Sequence, residues 1–356
     1  MEIHCQADDA YSDAIRLYLM REFPALVTPD KADLVELLTD AIVATGQVRN
    51  GPKPSPETLV NLRGKILVYS SDARPLPFVA VWGSEKPDWS GIDIAELGAL
   101  KTLKCLNERV QKHYPPGVAI NIRLEDASAP HLFFDNKEQA RQGAQLYCTA
   151  LEKLNHILET DHFIRPIRES SLTTEEKFNA EADKYLPAFN AVVSYPDNPD
   201  NQKQIQSYGW RGGWNRAQVE AVVSGTYLKL YPEADRKQRE HRLARCLAAT
   251  LARVKLGLTA ANSDWNEWGW MTLSFVNPTP TDRSRTDRIF YKTMPSSITS
   301  NHIPPWRAKG YLKVKGEEIH ASLTNFHEPQ DYNRHTLTLE RGAVSQILQA
   351  DYVVLD

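Results

Sequence analysis

The chain is poor in cysteine, with four in 356 residues and no Cys-x-x-Cys pair. That absence excludes a zinc ribbon and a thioredoxin-like redox motif, both of which need closely spaced thiols. Cys105, Cys148 and Cys246 each fall in an apolar pattern of helical period, which predicts small buried side chains. We therefore expect a reduced, cytoplasmic protein without disulfides.

Long apolar runs and a charge of one dominant sign are also missing. No stretch approaches the roughly 18 apolar residues of a membrane-spanning helix, and the first residues lack the pattern of a signal peptide. With 42 Lys+Arg against 45 Asp+Glu, the net charge is −3, which leaves no global electrostatic footprint for nucleic acid or an anionic membrane. Hydrophobic residues still make up 42% of the chain, so disordered and fibrous classes are excluded.

Several catalytic signatures are absent from the sequence. There is no GxGxxG, P-loop, GxSxG or HExxH motif. None of the ten histidines is followed two residues later by Asp or Glu, so the usual first half of a 2-His-1-carboxylate iron site is missing. Any chemistry must therefore come from less familiar combinations of residues.

The pattern of apolar residues predicts a strand–helix–strand unit. Lys65–Tyr69 is a short apolar run typical of a buried strand, Asp93–His113 carries the stripe of an amphipathic helix, and Val118–Leu124 alternates with strand period. Such a unit has parallel strands. We predict an α/β protein with a Rossmann-like, mostly parallel sheet, helical N-terminal and middle segments, and a β-rich C-terminal part.

Changes of pattern divide the chain into four predicted parts. Three prolines within residues 52–56 cannot continue a helix, so they mark the first boundary. The parts are an N-terminal helical segment over 1–57, an α/β core over 58–160, a mainly helical region over 161–265, and a β-rich part over 266–356 that completes the site.

Glu125 and Asp126 come directly after the predicted strand Val118–Leu124. In open α/β sheets, ligands bind at the carboxyl ends of the strands. The two carboxylates are therefore predicted to move protons in a cleft, and the alternative is a polar turn at the surface.

Two charged clusters leave alternatives open. His327, Asp331 and His335 can hold a divalent metal or form a solvated loop, but their spacing fits no established ligand motif, so we assign no metal site. The predicted helix over Arg236–Leu256 has a basic face that can bind phosphates or simply be solvated. The solvated face is the expectation, so nucleic acid is not an expected partner.

Two aromatic segments suggest a pocket. In the segment 210–216, two glycines allow close approach of a ligand, while Trp210 and Arg211 can stack on a planar group or bind an anion. In the segment 304–309, two prolines stiffen a loop from which Trp306 and Arg307 project. The alternatives are core tryptophans in the first case and a rigid surface turn in the second.

Four segments, in order, carry a family resemblance. They are Leu76-Pro77-Phe78 with Pro87-Asp88 and the helix 94–110; Tyr114-Pro115-Pro116-Gly117; Leu273-Ser274-Phe275-Val276-Asn277-Pro278; and Arg288-Ile289-Phe290 with Pro305-Trp306-Arg307 and Tyr311-Leu312-Lys313-Val314. Their order and spacing resemble the pyoverdine/dityrosine biosynthesis family, whose best-known bacterial members are isocyanide (isonitrile) synthases. The resemblance spans roughly residues 65–316.

The resemblance implies a reaction in which an amino acid's α-amine condenses with the ketone of ribulose 5-phosphate, without a bound metal or organic cofactor. Such a reaction needs anion clamps, a general acid/base and a side-chain pocket. The candidates are Arg63, Lys65, Arg288, Lys292 and Arg307 for the anions, Glu125 and Asp126 for protons, and Trp210, Arg211 and Trp306 for the pocket.

The sequence departs from the family pattern at four places. Glu125-Asp126-Ala127 stands where the family has Asp-Gly after the strand. Asn277 and Arg307 stand where the family has histidines, and the expected lysine falls near Val81 unless Lys86 takes its place. Histidine is the usual proton shuttle near neutral pH, and Asn277, at the catalytic position, does not titrate there. We therefore predict an altered reaction. The alternatives are a different reaction on the same fold, or a protein that binds an anionic metabolite or nucleic acid.

Overall fold

A computed structural model describes residues 2–5, 11–20, 33–46, 54–83, 86, 92–128, 136–210, 213–258, 271–274, 288–290, 304–316, 318–325 and 332–355. The strands in these residues are β1 (Glu2–Cys5), β2 (Leu76–Trp82), β3 (Ile92–Asp93), β4 (Val118–Leu124), β5 (Ile164–Arg168), β6 (Met271–Ser274), β7 (Arg288–Phe290), β8 (Ala308–Lys315), β9 (Glu318–Asn325), β10 (Asn333–Arg341) and β11 (Val344–Val354). The α-helices are α1 (Ser12–Met20), α2 (Leu34–Gly46), α3 (Pro56–Ser71), α4 (Ile94–Gln111), α5 (Lys137–Ile157), α6 (Glu175–Ser194), α7 (Pro199–Ser207), α8 (Arg216–Ala221), α9 (Tyr227–Leu230) and α10 (Arg236–Lys255).

One sheet is parallel throughout and has the strand order β5-β4-β2-β6-β7. The first strand of this sheet along the sequence is β2, which lies in its middle. Strands β4 and β5 are then added on one side of β2, and β6 and β7 on the other. The direction of winding therefore reverses between β2 and β6, and ligands bind outside the carboxyl ends of the strands at such a point. The predicted α/β fold with a Rossmann-like parallel sheet is confirmed.

The predicted strand at Lys65–Tyr69 is wrong, because these residues lie in helix α3. Leu62, Ile66 and Tyr69 are buried at helical spacing, whereas Leu67 is 61% exposed. The three consecutive apolar residues at 66–68 had the composition of a short strand, and the helical period became clear only with Leu62 included. The strand that pairs with β4 is β2, in the register Leu76 to Val118 through Trp82 to Leu124.

The crossover helix between β2 and β4 has the predicted start. Asp93 caps α4, since its Oδ1 accepts the amide of Ala95 at 2.7 Å, and Glu96 accepts the amide of Asp93 at 2.8 Å. This reciprocal capping box fixes both carboxylates against the first turn of the helix. The predicted helix Asp93–His113 is therefore confirmed, and its first turn holds two acidic side chains in defined positions.

The second sheet is mixed and has the order β1-β10-β11-β8-β9. Strand β11 is antiparallel to β10 on one edge; on the other it runs parallel first to β3 and then to β8. Because β3 leads directly into α4, that helix starts in the mixed sheet and crosses over between two strands of the parallel sheet. Strands β6 to β11 all lie in the C-terminal part that the sequence predicts to be β-rich.

Helices α6 and α10 pack together around a separate apolar core that includes Phe189, Leu247 and Leu251. Gly257 ends α10: its φ is +68°, a conformation that glycine adopts without strain, and its amide donates to the carbonyl of Val254 at 3.2 Å. Arg253 lies in the last turn of α10 and contacts residues that follow strands of the parallel sheet. Among the described helices, none combines the length and apolar character that a bilayer-spanning segment requires.

Candidate functional site

The carboxyl edge of the parallel sheet gathers charged side chains from several elements. Strand β2 ends at Trp82 and is followed by Lys86, β4 is followed by Glu125, and β5 is followed by Glu169. The amide of Glu125 donates to the carbonyl of Trp82 at 3.0 Å, which extends the pairing of β4 with β2 by one residue. The predicted carboxylates thus lie at the edge where ligands bind in this class of sheet.

A buried arginine joins the helical part of the chain to this edge. Nε of Arg253 lies 2.7 Å from Oε1 of Glu169, and its Nη2 lies 2.5 Å from Oε1 of Glu125. All three side chains are buried. Ser128 completes the group by donating to Oε2 of Glu169 at 3.0 Å. One guanidinium therefore bridges two carboxylates that follow neighbouring strands.

Burial and neighbouring charge shift the protonation of this group. Burial raises the pKa of Glu169 to about 7; the negative charge of Glu125 acts in the same direction and the guanidinium of Arg253 opposes both. Burial alone would lower the pKa of Arg253, but the two carboxylates raise it above its ordinary value. Arg123 on β4 is buried nearby, and burial lowers its pKa. Glu169 is thus the group here whose charge changes near neutral pH.

Asp126 makes a different set of contacts from Glu125. Its Oδ1 accepts the amide of Ser170 at 2.9 Å, and its Oδ2 accepts the hydroxyl of Ser170 at 2.5 Å. Both oxygens therefore accept hydrogen bonds that fix the turn after β5.

A second buried charge group surrounds Lys86. Its Nζ lies 2.7 and 2.6 Å from the two carboxylate oxygens of Glu96 and 2.9 Å from Oδ2 of Asp93. The hydroxyl of Tyr147 donates to Oε1 of Glu96 at 3.0 Å and accepts from Nε1 of Trp82 at 2.9 Å. These five side chains link the end of β2, the start of α4 and the middle of α5.

The pKa shifts of the side chains in this group have opposing causes. Burial would lower the pKa of Lys86, but the charges of Asp93 and Glu96 outweigh it and raise the pKa. Burial raises the pKa of Glu96 to about 8, against the attraction of Lys86. Burial also raises the pKa of Tyr147 well above its ordinary range. The ammonium is therefore charged at neutral pH, and the charge of Glu96 depends on its hydrogen bonds.

Trp306, one of the predicted pocket residues, lies beside this group. Its ring centroid is 5.7 Å from that of Trp82, and the side chain is buried. Gly83 is required at this contact, because a Cβ atom there would overlap the indole ring of Trp306. The two rings therefore pack closely together at the carboxyl end of β2, with Trp306 against Gly83.

The remaining predicted residues lie apart or outside the described part. Arg63 and Lys65 are on α3, where Nε of Arg63 lies 2.7 Å from Oε1 of Glu36 on α2. Trp210 packs edge-to-face on Phe189, with ring centroids 5.1 Å apart, in the core of the helical part. Asn277, Arg211 and Lys292, and the side chains of Arg288 and Arg307, lie outside the described residues.

The basic face of α10 is largely paired within the chain. Arg236 bonds to Glu220 and to Glu240, Arg242 lies 3.7 Å from the ring centroid of Tyr231, and Arg253 is buried. Among the described residues, no group of three candidate ligands gathers around a metal position. His327 and Asp331 of the proposed cluster lie outside those residues, and His335 is buried on β10.

Sequence reasoning missed Glu96, Tyr147, Glu169 and Arg253. Arg253 carried the clearest signal, because a charged residue on the buried face of an apolar helix requires a buried partner. The partners themselves come from β4 and β5, and Glu169 lies in a stretch whose pattern was poorly periodic. Only the assembled sheet brings them together.

Comparison with known proteins identifies a structural neighbour. No family model and no curated protein matches the sequence. Among solved structures, the crystal structure of PvcA from Pseudomonas aeruginosa is similar, with a TM-score of 0.55 and 15% identity over 90% of this chain and all of that one. This structural similarity agrees with the family resemblance found in the sequence. At this identity the match establishes a shared fold, and we conclude that the chain has the fold of PvcA.

Proposed function

We propose that this protein is an isocyanide synthase-like enzyme of specialised metabolism that acts on an amino acid and forms or modifies a carbon–nitrogen bond. The observation that carries the proposal is the pair of buried charge groups, around Lys86 and around Arg253, at the carboxyl edge of a PvcA-like sheet. Buried charges are costly, and such groups with perturbed pKa values are characteristic of functional sites.

In this proposal Lys86 takes the place of the lysine that the family pattern leads us to expect near Val81. Trp306 and Trp82 wall the space for the amino acid's side chain, and their close packing is supported by Gly83. Glu125 remains the proposed proton-transfer group, and its ion pair with Arg253 holds it at the carboxyl end of β4.

Anion binding is assigned to Arg288, Lys292 and Arg307, which the sequence places in the segments that resemble the family. The substrate's carboxylate, and the phosphate if ribulose 5-phosphate is the second substrate, each need such a partner. Arg63 is a weaker candidate than these, because its guanidinium is already paired with Glu36.

The reaction differs from isonitrile formation in our proposal. Asn277 and Arg307 replace two histidines of the family pattern, and neither exchanges protons near neutral pH. A different reaction on an amino-acid-derived substrate is favoured by this observation. Arg236 and its two glutamate partners give no support to the nucleic-acid alternative.

Thermal unfolding with candidate ligands tests the proposal. We expect an amino acid, alone or with ribulose 5-phosphate, to raise the melting temperature saturably, since a ligand that binds only the folded state stabilises it. Lys86→Met is expected to lose that rise, whereas Lys237→Met, at an exposed position on α10, keeps it. A rise only with an oligonucleotide, abolished by salt, would instead indicate nucleic-acid binding.

A further inference from the structure

Three side chains behind Lys86 form a hydrogen-bond chain with a fixed direction. The indole Nε1 of Trp82 donates to the oxygen of Tyr147, and the Tyr147 hydroxyl donates to Oε1 of Glu96. An indole nitrogen can only donate, so the oxygen of Tyr147 is the acceptor and its proton is left to point at Glu96. This hydrogen-bond chain therefore supplies a donor to the carboxylate of Glu96, which binds Lys86.

Glu96 receives donors on both oxygens. Oε1 accepts from Tyr147 and Lys86, and Oε2 accepts from Lys86 and from the amide of Asp93. The ammonium and the amide have no acceptor to offer a protonated carboxyl. Hydrogen bonding thus favours the ionised form and opposes burial and the charge of Asp93, which raise the pKa of Glu96.

We propose that Tyr147, oriented by Trp82, is a positioning residue that stabilises the ionised form of Glu96 and thereby fixes the ammonium of Lys86 at the carboxyl end of β2. Tyr147 does not touch the substrate in this account; it acts through Glu96. What Lys86 does to a substrate rests on the proposed function, but the coupling of Tyr147 to Glu96 does not.

The Tyr147→Phe variant tests the coupling without any substrate. A hydrogen bond to a charged group is stronger than one to a neutral group, so loss of the hydroxyl should cost more stability where Glu96 is ionised. We expect the fall in the urea midpoint relative to the wild type to widen as the pH rises from 6 to 9. The added loss corresponds to about tenfold in the unfolding equilibrium constant.

Tyr114→Phe is the matched control. Tyr114 is also buried, but its hydroxyl donates at 2.7 Å to the backbone carbonyl of Arg74, which does not titrate. Its midpoint deficit should stay constant over the same pH range. In a Glu96→Gln background, the deficit of Tyr147→Phe should also become independent of pH.

A deficit for Tyr147→Phe that stays constant with pH would overturn the inference and leave the proposed function standing. A widening deficit in a protein that turns over no amino acid would support the inference and contradict the proposed function. If Tyr147→Phe does not fold, Trp82→Phe removes the donor at the other end of the chain. The fall in its urea midpoint should widen with pH in the same direction, and a constant fall would again overturn the inference.

Discussion

The amide of Glu125 donates a 3.0 Å hydrogen bond to the carbonyl of Trp82. This bond ties the ends of the two central parallel strands together, and each residue leads into one of the buried charge groups. The side chain of Trp82 leads through Tyr147 to Glu96 and Lys86, and that of Glu125 leads to Arg253. Two groups that look separate in the sequence therefore share one backbone contact.

Replacement of Arg253 should destabilise the fold strongly. Arg253→Met leaves Glu125 and Glu169 without their shared guanidinium, and removal of one partner from a buried ion pair typically costs about 3–5 kcal/mol. Urea unfolding at pH 8 measures the loss. Arg236→Met, which breaks exposed ion pairs that solvent already screens, is the control and should change little. Equal effects of the two substitutions would show that Arg253 is not a buried link.

Arg253→Lys refines this prediction. Lysine keeps the positive charge but lacks the planar fork that reaches two carboxylates at once. We expect it to recover only part of the stability lost in Arg253→Met. Full recovery would mean that charge alone, rather than the bridged geometry, holds the group together.

Stability should depend on pH through Glu169. Burial raises its folded pKa from 4.5 to about 7, so the folded state binds this proton more tightly than the unfolded state. The stabilising contribution is complete below about pH 4.5 and is lost as the pH rises to about 7, by up to about 1.4 kcal/mol per pH unit. Glu169→Gln should remove this part of the slope in urea unfolding between pH 5 and 7. An unchanged slope would show that a group other than Glu169 titrates in this pH range.

Gly83 and Gly64 offer a matched pair of substitutions. Gly83→Ala should displace the ring of Trp306 and destabilise the protein by about 1–3 kcal/mol, as overpacking does. Gly64→Ala, in α3 with open space around it, should be neutral or stabilise by about 0.4–1 kcal/mol. Urea unfolding with tryptophan fluorescence measures both. A tolerated Gly83→Ala would argue against the close packing of Trp306 on the end of β2.

Much of this fold was predictable from local pattern. The alternation of Val118–Leu124 predicts β4, and the apolar stripe over Asp93–His113 predicts the crossover helix α4. Gly257 indicates where α10 ends. The strand predicted at Lys65–Tyr69 is wrong because three adjacent apolar residues fit a short strand and a helix equally well.

The site was less predictable than the fold. Glu125 could be placed at the sheet edge because it directly follows a strand with a clear period. Its partner Arg253 is 128 positions away in the chain, and Glu96 and Tyr147 meet only when α4 and α5 pack together. Contacts of that kind depend on tertiary packing, which local periodicity does not encode.

Arg307 remains the predicted anion-binding residue of the Pro304–Lys309 segment. If it binds the substrate's carboxylate or phosphate, Arg307→Ala should lower ligand affinity by roughly 30- to 5000-fold, and Arg307→Lys should recover part of it. Ligand titration checks this. Unchanged affinity together with a lower melting temperature would show that Arg307 has a structural role.

The most direct test of the proposed activity is mass spectrometry of reactions with ¹⁵N-labelled amino acids, tyrosine and tryptophan among them, with and without ribulose 5-phosphate. We predict a protein-dependent product that keeps the ¹⁵N label and is not the isonitrile, because Asn277 and Arg307 replace the family's histidines. Robust isonitrile formation would contradict the predicted change of reaction. If no labelled amino acid is converted under either condition, the proposal that this protein is an amino-acid-modifying enzyme is wrong.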